Sequence, residues 1–331
     1  MTDIATPVPL PIGPLATTPM PTDDSPRHSA GAEKLFSGTV TTAGLIVLVL
    51  LGAIILMLAY GAWPAFKAFG IGFLWTPVWD SVNNNYGAGI MVYGTLLSSV
   101  LALLIAVPLS VGVAYFLTEI LPSAFRRPIG VAIQLLAAIP SIIYGMWGFF
   151  VLAPWLAEHF ILDVADAAAG VPGLNKVLDY GSGNSVFTAG LVLGVMILPL
   201  ITAMFVEILG ATPVVLKESV YGLGATRFEV IRHVAIPYGR RAMVGAVMLG
   251  LGRALGETMA VVFIIGNATR LSPNIFAQGS TIASTIANEF AEAGFGTMKL
   301  AALLGLGLTL FIISFIVLSA SRLLVAPRAA S

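Results

Sequence analysis

Apolar residues run through this chain in long blocks and not in strict alternation. A helix needs about 20 apolar residues to cross a hydrocarbon core. Six stretches have that length: roughly Val40–Tyr60, Ile90–Ile120, Pro128–Pro154, Phe187–Leu209, Met243–Asn267 and Lys299–Ala320. The pattern predicts an all-α integral membrane protein with six transmembrane helices. The second stretch is long enough to tilt, or to bend at Pro108, while Pro140 and Pro199 lie inside the third and fourth. A proline kink frees backbone groups that lipid cannot satisfy. These two spans are therefore expected to face a bundle interior, although a kink without function fits the pattern equally.

Composition agrees with the block pattern. Hydrophobic residues make up 58% of the 331 and charged residues only 10%, against about 25% charged in soluble domains. Formal net charge is zero, so no bulk charge points to nucleic acid. Absence of cysteine excludes disulfides, thiolate metal sites and iron–sulfur clusters. His28, His159 and His233 are far apart and form no metal-ligand spacing. Residues 1–36 are rich in Pro and Thr, without an apolar period, and read as a disordered tail ahead of a six-span unit over 37–325. The tail does not have the form of a secretory signal.

Orientation follows from the basic residues between spans. With the N-terminus inside, the inner side holds eleven (Arg27, Lys34, Arg126, Arg127, Lys217, Arg227, Arg232, Arg240, Arg241, Arg322 and Arg328). The outer side holds four (Lys67, Lys176, Arg270 and Lys299). Both termini are expected in the cytoplasm. Three outer segments, near Gly61–Gly89, Trp155–Val186 and Ala268–Met298, are rich in Gly, Asn and Ser and offer surfaces to a partner outside.

The longest inner loop, 210–241, has its own pattern. Thr212-Pro213 reads as an N-cap and a first-turn proline for a helix over Val214–Tyr221. Gly222-Leu223-Gly224 would end it, and Thr226 with Glu229 forms a capping-box pattern for a second helix. Phe228, Ile231, Val234 and Ala235 fall on one face of that helix, and Pro237 is expected to stop it. On spacing alone, the helix pair is also consistent with an interfacial anchor.

The run Glu218-Ser219-Val220-x3-Gly224-x9-Val234-x-Ile236-Pro237 resembles the "EAA" loop of ABC-importer permeases, Glu-Ala-Ala-x3-Gly-x9-Ile-x-Leu-Pro, with matching spacing throughout. Ser219 and Val220 replace the two alanines. In that family the loop is a coupling helix that docks in a groove of the ATPase subunit. The resemblance implies that role for Glu218, Gly224, Ala225, Arg227 and Pro237. No Gly-Lys dipeptide occurs in the chain, so it has no P-loop to cradle a nucleotide. ATP and Mg²⁺ are expected on a partner, with no cofactor here.

The fifth stretch carries Arg253 and Glu257. An ionisable residue at mid-depth costs about 2.5–3.5 kcal/mol on insertion scales. Four residues apart, the two share a helix face, as do Gly252 and Gly256, whose spacing permits close helix approach. Two roles stand open. The charges neutralise each other and lock geometry, or Arg253 is available to an anionic solute during a cycle, with Glu257 pairing it at rest. Guanidinium suits the second because its planar fork binds phosphate bidentately. A carboxylate could also accept a proton from a partly protonated oxyanion, favouring phosphate over sulfate.

Gly252-Arg253-Ala254-Leu255-Gly256-Glu257-Thr258-Met259-Ala260, closing at Ile265-Gly266-Asn267, resembles the fifth-span signature of phosphate-specific ABC permeases, closer to their PstC branch than to the paralogous PstA branch. Thr281–Ala293 and Ala138–Gly145 are similar to the same branch, and the likeness covers roughly residues 40–320. It implies a type I ABC-importer permease fold and a subunit that passes inorganic phosphate through the cytoplasmic membrane, with Arg253 and Glu257 on the substrate path. Implied partners are a PstA-like permease, two PstB-like ATPase subunits and a PstS-like extracytoplasmic binding protein, besides phosphate and membrane lipid, with no nucleic acid. Rival expectations are a permease for sulfate or molybdate, an ion-coupled secondary transporter using Glu257 as proton carrier, and a non-transporting scaffold.

Overall fold

The computed structural model describes residues 30–325, with side chains over 33–320. Helices dominate. Helix α1 (Ala30–Phe69) precedes a two-strand hairpin, β1 (Trp79–Asp80) and β2 (Asn85–Tyr86). Then come α2 (Gly89–Tyr115), which continues into a π turn at Phe116–Ile120, and α3 (Ser123–Ala137). Next, α4 (Ser141–Trp147), α5 (Ala153–Leu156) and α6 (Leu162–Ala169) are joined by π turns into one stretch, followed by α7 (Leu174–Val177) and α8 (Val186–Gly210). The remainder is α9 (Val214–Gly222), α10 (Arg227–Val230), a π turn at Ile231–Ala235, α11 (Ile236–Leu255), α12 (Met259–Ile264), α13 (Ile282–Glu289) and α14 (Met298–Val325).

Among the described residues, five stretches are long and apolar enough to cross a membrane: Glu33–Leu74, Gly89–Ile120, Ser141–Ala169, Val186–Gly210 and Met298–Ala320. The protein is an all-α membrane protein. Two expected spans are corrected. The third starts at Ser141, not at Pro128, because Pro140 ends helical geometry and becomes the N-cap residue of α4, with ψ at 135°. Pro140 is exposed, so it does not turn a kink inward. The segment before it folds as the separate helix α3, which has no buried residue. The fifth, Met243–Asn267, is not one helix: α11 stops at Leu255 and α12 starts at Met259. Pro199 meets its expectation, being buried within an unbroken α8.

The chain divides into two units, Met1–Ile54 and Ile55–Ser331. In the first, helix α1 begins at Ala30, so the last residues of the expected tail are helical, and residues 33–51 have exposed side chains. Residues 1–29 of that tail lie outside the described residues.

The second unit is centred on the α2–α8 pair. Gly190 and Gly194 bring α8 against Leu101 and Ala102 of α2; a Cβ on Gly190 would lie 2.7 Å from the Leu101 side chain. Ser110 of α2 donates to the Leu198 carbonyl of α8 at 3.2 Å, next to Pro199. Around this pair a core forms from Ala106, Leu193, Ile197, Ile201 and Phe205 with Ala246 and Ala254 of α11 and Ile264 of α12. A second cluster gathers Phe73, Tyr86, Met91, Ile282 and Leu306. The hairpin is pinned to it because the Trp79 indole N–H donates to Glu289 at 2.9 Å and Lys299 pairs with the same carboxylate at 3.0 Å. Many large apolar side chains point outward, among them Leu104, Phe150, Phe315 and Ile316, as a lipid-facing surface requires.

Gly94 of α2 is the tightest of these approaches along that helix: a Cβ there would sit 2.1 Å from the Ser280 carbonyl oxygen. The obstacle is backbone and cannot swing aside. Gly94→Ala is expected to destabilise the purified chain by about 1–3 kcal/mol, seen as a lower thermal midpoint in detergent. Gly112→Ala on the same helix meets nothing within 4 Å and should leave the midpoint unchanged or slightly raised.

Candidate transport path and coupling loop

Helix α8 ends at Gly210, and α9 starts after Pro213, whose ψ of 131° makes it the cap residue. The expected cap, Thr212, is buried with its hydroxyl unpartnered. Helix α9 ends in a Schellman motif: the Gly224 N–H reaches the Tyr221 carbonyl at 2.9 Å, and the Ala225 N–H reaches the Val220 carbonyl at 3.3 Å. Gly224 makes the corner with φ +87°, where an L side chain is strained.

The capping box forms. Thr226 N–H donates to Glu229 Oε2 at 2.8 Å, and the Glu229 N–H donates to Thr226 Oγ1 at 3.4 Å. The carboxylate also accepts the Thr226 hydroxyl at 2.9 Å; the Thr226 backbone N–H first, then this hydroxyl, hold the Glu229 pKa below the ordinary carboxylate value. Val230 and Ile231 are buried, whereas Phe228 is exposed and sets its ring edge against Tyr115 of α2 at 6.1 Å. Pro237 does not stop the helix. It is the second residue of α11, directly after the π turn Ile231–Ala235, where the wider turn tolerates a missing N–H.

The loop offers a partner both charge and apolar surface. Glu218 is exposed, as are Val214, Val215 and Leu223. Arg227 points back, donating from Nη1 to the Glu119 carbonyl at 3.0 Å. Glu119 also takes Lys217 Nζ at 2.9 Å and the Tyr221 hydroxyl at 3.5 Å. Burial first, then the Glu119 charge, raises the Tyr221 pKa, with Arg227 opposing, so the phenol keeps the proton it donates. Sequence reasoning passed over Glu119 because nearly a hundred residues separate it from Lys217. The only local signal is an acid at the end of an apolar span.

Arg253 sits in the last turn of α11 with its side chain exposed. Among the described residues, no ion pair or hydrogen bond involves its side chain. The expected pair with Glu257 is absent, because the helix ends between them and the four-residue register is lost. The Glu257 N–H still reaches the Ala254 carbonyl at 3.4 Å, and its carboxylate accepts the Ala260 N–H at 3.4 Å, capping α12. Of the two glycines expected to pack, only Gly252 faces another helix, opposite Leu318 of α14; a Cβ on Gly256 would meet only its own chain. Beyond α12, Gly266 and Asn267 take φ of +86° and +53°, and Asn267 Nδ2 donates to the Val262 carbonyl at 2.8 Å.

An exposed guanidinium thus stands at the end of a broken helix, on a chain with an apolar exterior. The chain's residues 106–328 match the family model of the binding-protein-dependent transport system inner membrane component. The chain belongs to that family. Similar members are the phosphate transport system permease proteins PstC of Mesorhizobium japonicum, 48% identical over 91% of this chain and 92% of that one, and of Haemophilus influenzae, 50% identical over 88% and 93%. PstC 2 of Mycobacterium tuberculosis is 39% identical over 89% and 92%. Among solved structures, an inward-facing MetNI methionine ABC transporter chain is 19% identical, with TM-score 0.49, over 72% of this chain and 93% of that one. As a family member the chain is a membrane permease subunit and not itself a catalyst.

Thr226→Ala removes the capping box. It is expected to destabilise the loop by about 1 kcal/mol, which hydrogen exchange reads as roughly fivefold weaker amide protection over 227–231. In the native chain, the lowered Glu229 pKa means the cap is fully formed at neutral pH. Its contribution should be lost as pH falls through and below the ordinary carboxylate range, measured as protection factors against pH.

Proposed function

We propose that this chain is the permease subunit of an ATP-driven importer that carries inorganic phosphate across the cytoplasmic membrane. The observation that carries the reading is the unpaired guanidinium of Arg253 at the break between α11 and α12. An uncompensated charge at membrane depth costs several kcal/mol, so it is kept where water or an anion answers it. A planar, permanently charged fork suits a phosphate oxyanion. The names of relatives at 48–50% identity support phosphate as that anion. Glu257 lines the same break, half-buried, and is the candidate proton acceptor from a partly protonated anion.

The partners in this reading are a homologous permease, two ATPase subunits that bind ATP and Mg²⁺, and an extracytoplasmic binding protein. The excess of basic residues in the loops supports cytoplasmic termini and a cytoplasmic α9–α10 corner. There the exposed Glu218, Val214, Val215 and Leu223 meet the ATPase, while Gly224, Ala225 and Thr226 fix the corner's shape. Closure of the ATPase dimer moves the corner, and the bundle reopens on the other side. Only contacts that differ between the two states drive such a shift.

Arg253→Ala in the assembled importer is expected to cut phosphate uptake by at least about tenfold, the loss of one charged contact, while the subunits still copurify. Normal uptake by this variant would sink the path reading. Uptake of labelled phosphate that excess sulfate or molybdate suppresses would move the reading to another oxyanion. Gly224→Pro is expected to leave ATP hydrolysis running while transport stops; a variant that transports normally makes the loop a mere anchor.

A further inference from the structure

Helix α9 has no buried residue. It therefore cannot be held to the bundle by packing of its own, and its attachment is polar. Beside it lies a cavity of about 350 Å³, lined by Thr118, Arg126, Gln134, Thr202, Glu207 and Lys217. One residue collects the loop's bonds. Glu119 Oε1 takes Lys217 Nζ at 2.9 Å, with the two side chains only 13% and 17% exposed, and Oε2 takes the Tyr221 hydroxyl at 3.5 Å. The backbone carbonyl of Glu119 accepts from Arg227 of α10 at 3.0 Å. Both arms of the corner thus end on the same residue of the α2 terminus. Four residues earlier, Tyr115 meets the Phe228 ring, so two contacts share one face of that helix.

The ending of α2 suits this task. A helix C-terminus leaves carbonyls unbonded and favours cations. Here Arg227 takes the Glu119 carbonyl, and Arg126 takes the Leu121 carbonyl at 2.9 Å. At its other end, α2 touches α13: Thr95 Oγ1 accepts the Ile282 N–H at 3.0 Å. Along its length it is pressed against α8 through Gly190 and Gly194. A displacement of the corner must therefore displace α2, and α8 with it.

We propose that Glu119 is the positioning residue through which the α9–α10 corner drives the α2–α8 pair, so that it sets how much phosphate moves per ATP. This rests on the coupling reading of the loop given above.

The test uses the complete importer with its partner subunits, reconstituted in liposomes, with phosphate uptake and ATP hydrolysis measured together. Glu119→Gln removes the charge and keeps the backbone carbonyl. Hydrolysis should persist while phosphate moved per ATP falls by at least about fivefold, the lower range of ordinary coupling energies. Lys217→Met, which leaves α2 untouched, should give the same loss if Glu119→Gln does not assemble. The swap Glu119→Lys with Lys217→Glu should restore the ratio where neither single change does. An unchanged ratio in Glu119→Gln overturns the proposal, and so does a swap no better than its singles. A parallel fall of uptake and hydrolysis also overturns it, because the cluster is then only a staple of the fold. Gly224→Pro, run alongside, separates the two readings. If it too leaves the ratio unchanged, the coupling reading has failed; if it uncouples while Glu119→Gln does not, only the role of Glu119 has.

Discussion

The structure depends on one constraint: inside a membrane, every backbone N–H and C=O must find its partner within the protein. Continuous helices such as α8 meet it automatically. Broken ones meet it only where side chains and short turns close the gap. At the α11–α12 break the closing bonds are Glu257 N–H to the Ala254 carbonyl, Thr258 Oγ1 to the Gly256 carbonyl, and Ala260 N–H to the Glu257 carboxylate. At the α3–α4 break, Ala138 and Ile139 donate back to Leu135 and Leu136, and the Tyr144 hydroxyl adds a bond to the Leu136 carbonyl at 2.9 Å. Each break is thus closed in part by its own local bonds, as irregular backbone at that depth requires.

The same accounting separates the charges. Lys217 and Glu119 are mostly buried and paired, and removing either partner leaves the other uncompensated. Their pairing ties the α9–α10 corner to the end of α2. Arg253 is exposed and unpaired among the described residues, so no contact they make holds it in place. In the proposed function, an insertion cost of a few kcal/mol is offset when an anion answers the charge. The sequence-level idea that Glu257 holds Arg253 at rest does not survive. Glu257 accepts the Ala260 N–H of α12, and no ion pair joins the two charges.

Much of this was legible before any coordinates. Three of the six apolar blocks match helices closely in position, and a fourth, Val40–Tyr60, lies within the longer α1, because block length is what a bilayer selects. The Gly224 corner and the Thr226–Glu229 box were legible because their chemistry is local: a positive φ and an N-terminal donor each demand particular residues within a few positions. The errors arose where local rules compete. Pro140 ended a helix that block length would have continued. Pro237 failed to end one, because a π turn upstream absorbed it. Arg253 and Glu257 share a face only if the helix is unbroken, and Gly256 removes that premise. Glu119 was not legible at all, since its partners are distant in sequence and nothing local distinguishes it from a span-end acid.

The two sites nevertheless belong to one mechanical element. The π turn Ile231–Ala235 runs without interruption into α11, and α11 ends two residues after Arg253. Twenty residues of helix reach about 30 Å at 1.5 Å per residue. The loop and the break are therefore opposite ends of a single rod. Gly250 presses that rod on Ile201 of α8, and Gly252 on Leu318 of α14. Such a rod resists bending along its length, so a displacement at its loop end arrives at Arg253 as displacement and not as local strain. Helix α2, tied to the same loop through Glu119, provides a second rod anchored to α8. In the proposed importer, the relation between the two rods would set how a movement of the corner reaches Arg253. Where a helix of this chain breaks is thus as consequential as where it spans: the break at Gly256–Thr258 separates the rod that carries Arg253 from α12 and the segment beyond it.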